Sequence, residues 1–272
     1  MNNYTYLTLL GSDNYLRGVL GLWKSLINQN SKYPLTVMVT NQVSENSIME
    51  LEKRDISYLK ADKVEVSEDI LTINAQKGFS NWTNTFSKLL IFGLTQFDKI
   101  VFLDADMLVL ENIDELFGKD NLSATVAGKS VPGNENWVDL NSGMMVIVPK
   151  LNEDKRLISL ISKFDAKSAF GDQDIISEGY PHWKKHTNLV LGEEYNILAK
   201  YEPYYVSSNV LDSPIKVLHF IGKVKPWNMS KYEQLKYCAR ICKIQINKTR
   251  TLRGVFTSMK DFNKYIKICK NA

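Results

Sequence analysis

Apolar and polar positions follow two rhythms along the first hundred residues. Tyr4–Leu10 (YTYLTLL) is a run of β-branched and aromatic residues and reads as a strand. Gly11–Asn14 (GSDN) is a turn. From Tyr15 to Ile27 apolar residues recur at Val19, Leu22, Trp23 and Leu26, the i, i+3, i+4, i+7 set of a helix face. Leu35–Val39 (LTVMV) repeats the strand signature. Ser44–Arg54 reads as a helix capped by Ser44, with an incomplete capping box because position 47 is Ser rather than Glu or Gln. Strand, helix, strand, helix at this spacing predicts a parallel sheet with crossover helices.

Between Ala61 and Ser80 the periodicity fades and predicts no element. Thr83–Gln96 reads as a helix with Phe86, Leu89, Leu90 and Leu94 on one side, and it carries Lys88. Lys99–Leu103 (KIVFL) is a short apolar run typical of a buried strand, and Met107–Leu110 (MLVL) follows it closely. Asn112–Phe117 predicts a short helix, and Ser123–Ala127 and Leu140–Val148 predict strands. The last contains Gly143, and an internal strand glycine marks close approach of a ligand or another chain segment. Leu151–Phe164 is helical by spacing, and FGDQDII at 170–176 then places three polar residues in a row. Val217–Ile221 (VLHFI) is strand-like with His219 inside it, and GKVKPW at 222–227 is a loop.

Composition changes this picture little at the centre and more at the end. The chain has 272 residues, 44% hydrophobic and 24% charged, ordinary for a globular protein. No run approaches the ~20 apolar residues of a membrane span, so no transmembrane segment is expected. MNNYTYLTLL lacks a basic n-region and predicts no signal peptide. Three cysteines, an odd number, predict reduced thiols and a cytoplasmic setting, and Cys238 and Cys242 lack the histidines of a zinc site. Residues 228–272 hold eleven Lys and Arg against two acidic residues, a local charge of +9, while the whole chain carries +4. A basic end suits an anionic partner, membrane or nucleic acid; the simpler reading is a solvated helical face.

The candidate chemistry sits at Asp104, Ala105 and Asp106, closing the KIVFL run. Residues i and i+2 of an extended segment point the same way, so the two carboxylates would share a face. Like charges that close repel unless a cation lies between them, and hard oxygens suit Mg²⁺ or Mn²⁺. In a parallel sheet ligands collect beyond the carboxyl ends of strands. A plain strand-to-turn junction would place Asp there as well.

Four further stretches give the pair a context: TLLGSDNYLRGVLGLWKSL near the N-terminus, LNSG at 140–143, GDQ at 171–173 and HFIGKVKPW at 219–227. With SKLLIFGLTQFDKIVFLDADMLVLENIDELF at 87–117, these five ordered motifs resemble the glycogenin-type retaining glycosyltransferases of family eight. That resemblance implies an α/β fold of the GT-A type: a single domain with a Rossmann-like, mostly parallel mixed sheet flanked by helices. It would occupy residues 1–227, with 228–272 a basic helical extension packed on it or trailing it.

The resemblance also implies roles. Asp104, Asp106 and His219 would bind Mn²⁺, with Mg²⁺ an alternative, and Ala105 would lie between the two carboxylates against the donor. Lys225 and the Gly222 backbone would hold the diphosphate and stabilise the leaving UDP. Lys88 would reach the donor. Leu9, Leu10, Gly11, Ser12 and Tyr15 would form the uridine pocket, with Tyr15 against the base. Asn141 and Ser142, with Asp172 and Gln173 nearest the anomeric carbon, would surround the donor sugar. Asp172, Gln173 and Lys225 are thus the expected catalytic residues. Relatives often carry an Arg ahead of the Lys-bearing helix, whereas this chain has none between Arg54 and Arg156.

The implied reaction moves a hexose, glucose by resemblance, from a UDP-sugar to a hydroxyl of a glycan, protein or small molecule. The resemblance also allows a homodimer, and no nucleic-acid partner is expected. One alternative is self-glucosylation at Tyr195, Tyr201, Tyr204 or Tyr205, in a segment that does not reproduce the glycogenin pattern; another is a UDP-sugar-binding protein without turnover.

Overall fold

The computed structural model describes residues 2–62, 64–78, 80–164 and 169–272. Strand β1 (Tyr4–Leu10) leads through a 3₁₀ turn at 13–15 into helix α1 (Leu16–Asn28), then β2 (Leu35–Val39), α2 (Glu45–Glu52) and β3 (Ser57–Lys60). Ser44 caps α2, its hydroxyl accepting from the Ser47 amide. Position 47, where a capping box would carry Glu, instead gives its hydroxyl to Asp13 at 2.6 Å. The 61–80 stretch, without a predicted element, holds α3 (Glu68–Gln76).

Beyond it lies β4 (Lys99–Leu103), with β5 (Met107–Val109), β6 (Ala124–Thr125) and β7 (Met144–Ile147) after it. Helices α4 (Glu153–Ser159) and α5 (Asp172–Gly179) follow, then β8 (Val190–Leu191), β9 (Ile197–Leu198), α6 (Glu202–Ser208) and β10 (Val217–His219). The chain closes with α7 (Lys231–Thr249) and α8 (Val255–Asn271).

Seven strands form one sheet in the order β3-β2-β1-β4-β7-β6-β8. β3, β2, β1 and β4 run parallel, and β7 pairs antiparallel with β4 and β6. The chain leaves β1 toward β2 on one side and returns to β4 on the other. The crevice beyond the carboxyl ends of β1 and β4 is therefore a topological switch point. Both faces are covered, as the continuous apolar runs of β2 and β4 require. Tyr6, Leu10, Val37, Val39, Val101 and Leu103 pack against Val19, Leu22 and Leu26 of α1. Leu7, Met38, Ile100 and Phe102 face the other way, toward Phe86, Leu89 and Phe92. A small sheet, β5-β10-β9, carries a third cluster with Phe262, Tyr265 and Ile266 of α8.

Several predicted elements are corrected. The predicted helix Thr83–Gln96 is a succession of 3₁₀ turns, Ser80–Gly93. Its buried Phe86, Leu89, Ile91 and Phe92 pack against the sheet, so tertiary packing outweighs the α-helical spacing. Asn112–Phe117 is a 3₁₀ turn at Asp114–Gly118, which Asn112 initiates by accepting from the Asp114 amide. The 123–127 and 140–148 strands shrink to two and four residues. Leu151–Phe164 divides into α4 and a 3₁₀ turn at Leu160–Lys163. Val217–Ile221 ends as a strand at His219.

One buried acid sets a pH dependence in the α6–α8 contact. Glu202 is 1% exposed; burial and the neighbouring Asp261 push its carboxyl up to about 9, while the Ser258 hydroxyl opposes them. An unfolded Glu ionises near pH 4.3, so between there and pH 9 the folded chain holds a proton that the unfolded chain lacks. Stability therefore falls as pH rises through that window. Glu202→Gln, neutral at every pH, is expected to flatten the fall and melt several degrees above the wild type at pH 8. Parallel pH profiles of Tm for the two proteins would exclude this assignment.

Candidate functional site

Asp104 follows the last residue of β4, its amide donating to the Gly143 carbonyl of the neighbouring segment at 2.8 Å. The Met107 amide returns to the Asp104 carbonyl at 3.2 Å, so 104–107 is a turn rather than the extended segment expected. The two carboxylates converge through that turn and through His219, not through a shared strand face. His219 ends β10, paired antiparallel with β5 so that it lies opposite Met107. Its Nε2 is 3.2 Å from Asp106 Oδ1 and 3.7 Å from Asp104 Oδ2. One ligand atom from each of the three lies within 4.8 Å of the others.

Two lysines neutralise the carboxylates. Lys88, 3% exposed, sets its Nζ 3.0 Å from Asp104 Oδ1 and 2.8 Å from Asp172 Oδ2, over the Phe102 ring. Lys225 donates to Asp106 Oδ2 at 2.6 Å and lies over the Tyr15 ring. Burial works against the charge on each group. The pairs outweigh it for both lysines, which are held above their ordinary range, and for Asp106, held well below its own by Lys225 and His219. Asp172 is also held low by Lys88, Ser142 and Thr85 despite its burial. Asp104 is raised, because burial and the Asp106 and Asp172 charges exceed what Lys88 and His219 return.

A polar chain continues around the crevice. Ser142 Oγ donates to Asp172 Oδ2 at 2.7 Å, and the Ser142 amide donates to Gln173 Oε1 at 3.2 Å. Asn141 Nδ2 reaches the same Gln173 oxygen at 3.4 Å. Asp172 and Gln173 open α5, immediately after Gly171. At the far side Gly222 holds φ +132°, open to glycine and strained for other residues, where the loop turns back to bring Lys225 inward.

Of the residues singled out by sequence, Lys88, Asp104, Asp106, Asn141, Ser142, Asp172, Gln173, His219 and Lys225 form this connected network, and Tyr15 joins through Lys225. Gly11 and Ser12 follow the end of β1 at the mouth of the same crevice. Leu10 turns its side chain into the core, so only its main chain can face a ligand there, while Leu9 is half-buried. Ala105 is buried, its carbonyl within 3.5 Å of the Tyr265 hydroxyl of α8.

Sequence reading missed Asn196. It is fully buried; its Oδ1 lies 3.0 Å from His219 Nδ1, and its Nδ2 donates to Asn141 Oδ1 at 2.8 Å. It thereby fixes the imidazole so that Nε2 faces the carboxylates. Its signal in the sequence is an Asn in front of the apolar pair Ile197–Leu198. Gly18 was missed too: a Cβ there would lie 2.4 Å from the Trp227 ring and 2.6 Å from the Ala105 carbonyl. Only glycine lets α1 approach this closely.

The close approach expected at Gly143 is the imidazole itself. A Cβ at 143 would stand 2.5 Å from His219 Cε1 and 2.9 Å from Asn141 Oδ1. Gly143→Ala is expected to push His219 aside and weaken divalent-metal affinity by about tenfold or more, as loss of a supporting group does. Calorimetric Mn²⁺ titration of the two proteins checks this; equal affinities would mean that His219 is not a ligand.

Comparison with known proteins bears on the family and the fold. The family model for Glycosyl transferase family 8 matches residues 6–231. Glycogenin-1 of Homo sapiens is 33% identical over 238 residues, covering 84% of this chain and 63% of that protein. Glycogenin-1 of Caenorhabditis elegans is 31% identical over 237 residues, covering 83% and 51%. The chain thus spans between half and two-thirds of these relatives' length. UDP-glucuronate:xylan alpha-glucuronosyltransferase 1 of Arabidopsis thaliana is 29% identical over 235 residues, 82% of this chain and 32% of that protein. In fold, an active-site mutant of LgtC superposes with TM-score 0.61 at 16% identity, covering 90% of this chain and 96% of that one. The galactosyltransferase LgtC with donor and acceptor sugar analogs gives TM-score 0.59 over the same shares. The mostly parallel seven-stranded sheet and its flanking helices are those of the GT-A fold.

Proposed function

The chain belongs to glycosyl transferase family 8, and from that premise we propose that it moves glucose from UDP-glucose to a hydroxyl acceptor, with retention and with a divalent metal. The observation that carries this reading is the convergence of Asp104, Asp106 and His219 at the switch point, backed by two buried lysines. Two carboxylate oxygens and an imidazole nitrogen of this spacing fit Mn²⁺, and Mg²⁺ less well because of the nitrogen. A bound metal ion would neutralise charge developing on the departing diphosphate.

The remaining steps belong to this chain's side chains. Lys225, held charged beside Asp106, supplies a cation to the diphosphate as the bond from the sugar C1 to its oxygen breaks. Tyr15 and the main chain at 9–12 hold the nucleoside at the end of β1. Asp172 is held ionised by Lys88 and Ser142, so its negative charge stabilises positive charge developing at the anomeric carbon. Gln173 carries an amide, a poor nucleophile, and serves to orient the sugar. The acceptor oxygen then bonds C1 on the face that UDP leaves, its hydroxyl proton passing to the departing diphosphate oxygen. Three free cysteines suit a reducing, cytoplasmic compartment.

The acceptor is external. Tyr195 and Tyr205 are buried with hydroxyls engaged by Glu115 and Glu193, and Tyr201 and Tyr204 are half-buried. A cleft of ≈ 350 Å³ opens beside Gln173 between Phe164, Tyr180 and Asp139, with aromatic walls and carboxylates suited to a sugar. UDP release from a panel of UDP-sugars, with Mn²⁺ and with chelator, tests the transfer reading: UDP-glucose should be preferred and chelator should abolish release. Intact mass after incubation with UDP-glucose should stay unchanged. Hexose-sized increments that vanish when the four tyrosines become Phe would establish self-glucosylation instead.

A further inference from the structure

The basic end of the chain meets the site just described through Tyr265 of α8, whose hydroxyl lies 3.5 Å from the Ala105 carbonyl, but its charged side chains have no described role there. Its two helices form a hairpin against the domain, with Ile241 and Gln245 of α7 buried and Tyr237 stacked on Phe262 of α8. The opposite face of α7 is exposed along its length, and its residues sort into two strips. Tyr232, Leu235 and Ile246, at 65%, 68% and 42% exposure, fall with Ala239 at successive steps of three, four and seven residues, on one stripe of the helix. Lys236, Arg240 and Lys243 run alongside, all exposed. At the end of the hairpin the turn exposes Leu252, and Phe256 at the start of α8 is 85% exposed, beside Arg250 and Arg253.

The single acid of α7, Glu233, is spent on the Ser230 cap at its N-terminus. Asp261 of α8 faces Glu202. The face is thus single-signed. A merely solvated helix mixes Glu with Lys at i, i+4 and does not present Leu and Phe at such exposure.

We propose that this face of α7, with the α7–α8 turn, docks on an anionic phospholipid surface. A helix with a basic strip beside an apolar strip lies in a bilayer interface, the cations on headgroups and the apolar side chains below them. Anionic leaflets attract each nearby Lys or Arg, which supplies the charge complementarity. A nucleic acid would use the cations but gain nothing from Leu235, Leu252 and Ile246. The contact would hold the transferase against a membrane surface while leaving the crevice at β1 and β4 to its substrates.

Sedimentation of the full chain with phosphatidylcholine vesicles, with and without about one-third phosphatidylserine, tests this. Binding should favour the anionic vesicles by at least about tenfold and weaken steeply with salt. Lys236→Glu, Arg240→Glu and Lys243→Glu together should reduce it by about 100-fold or more. Leu235→Ser with Phe256→Ser should reduce it by about tenfold at unchanged charge. Thermal melts of both variants should match the wild type, since every altered side chain is exposed, and UDP-glucose turnover without vesicles should be unchanged. Absence of binding to anionic vesicles at low salt would overturn the proposal. So would an apolar double variant that binds like the wild type, or a single-stranded RNA that displaces the chain from vesicles at equal charge concentration; either would make the face a site for acidic macromolecules.

Discussion

Asp106→Asn is expected to lower kcat/KM for UDP-glucose turnover by at least about 100-fold, roughly 2.7 kcal/mol of transition-state stabilisation. Asp106 touches His219 and Lys225 at once, and it is one of three groups that converge for a metal. Asn keeps the volume and one oxygen but removes the charge that makes the oxygen a ligand and that balances Lys225. Mn²⁺-dependent UDP binding should be lost with turnover. The variant should also be less stable, because the buried Lys225 ammonium loses its ion-pair partner and is left with weaker contacts, such as the Phe220 carbonyl at 3.5 Å and the Tyr15 ring. The double change Asp106→Asn with Lys225→Met separates these effects: stability should return while turnover does not. Full-rate turnover of Asp106→Asn, with or without chelator, would remove the metal role.

How far the sequence leads depends on the kind of feature. β1, β2 and β4 are legible because both faces of a central parallel strand are buried, so their apolar runs are continuous. The short strands β8 and β9 are not, because two residues carry no period, and β6 is legible only as part of the longer Ser123–Ala127 run. The 80–93 segment misleads in a different way: its apolar spacing records where Phe86, Leu89 and Phe92 meet the sheet, and says nothing of how tightly the backbone winds. In the site, the charged residues stand out by chemistry and by motif. Asn196 and Gly18 do not: one acts by a buried amide and the other by having no side chain, and both effects exist only once β9, β10 and α1 are packed together. The place of α8 was equally hidden. Its Tyr265 and Phe262 reach the third core cluster, while its lysines dominate the composition.

Lys88→Met is expected to cost about 3–5 kcal/mol of folding stability, the usual result of removing one partner from a buried ion cluster. Lys88 is the shared cation of Asp104 and Asp172, and it also donates to the Ser142 carbonyl at 3.2 Å. Met fills the volume but removes the cation that lies between the two carboxylates. Asp172 is then held by Ser142 and Thr85 alone, and burial raises its pKa instead of Lys88 lowering it. The sign of the pH dependence follows. In the wild type the Asp172 contribution is present above the unfolded carboxylate value of about 3.9 and is lost as pH falls through the lower folded one. In the variant the carboxylates gain a proton on folding, so its stability rises as pH falls toward 5. The gap between the two proteins should therefore be widest near neutrality and narrow toward acid. Urea unfolding at pH 7.5 and pH 5 reads both quantities, with an unchanged m confirming the same unfolding transition. A gap below about 1 kcal/mol, or one that is equal at both pH values, would mean that Lys88 does not hold the two carboxylates in the folded state.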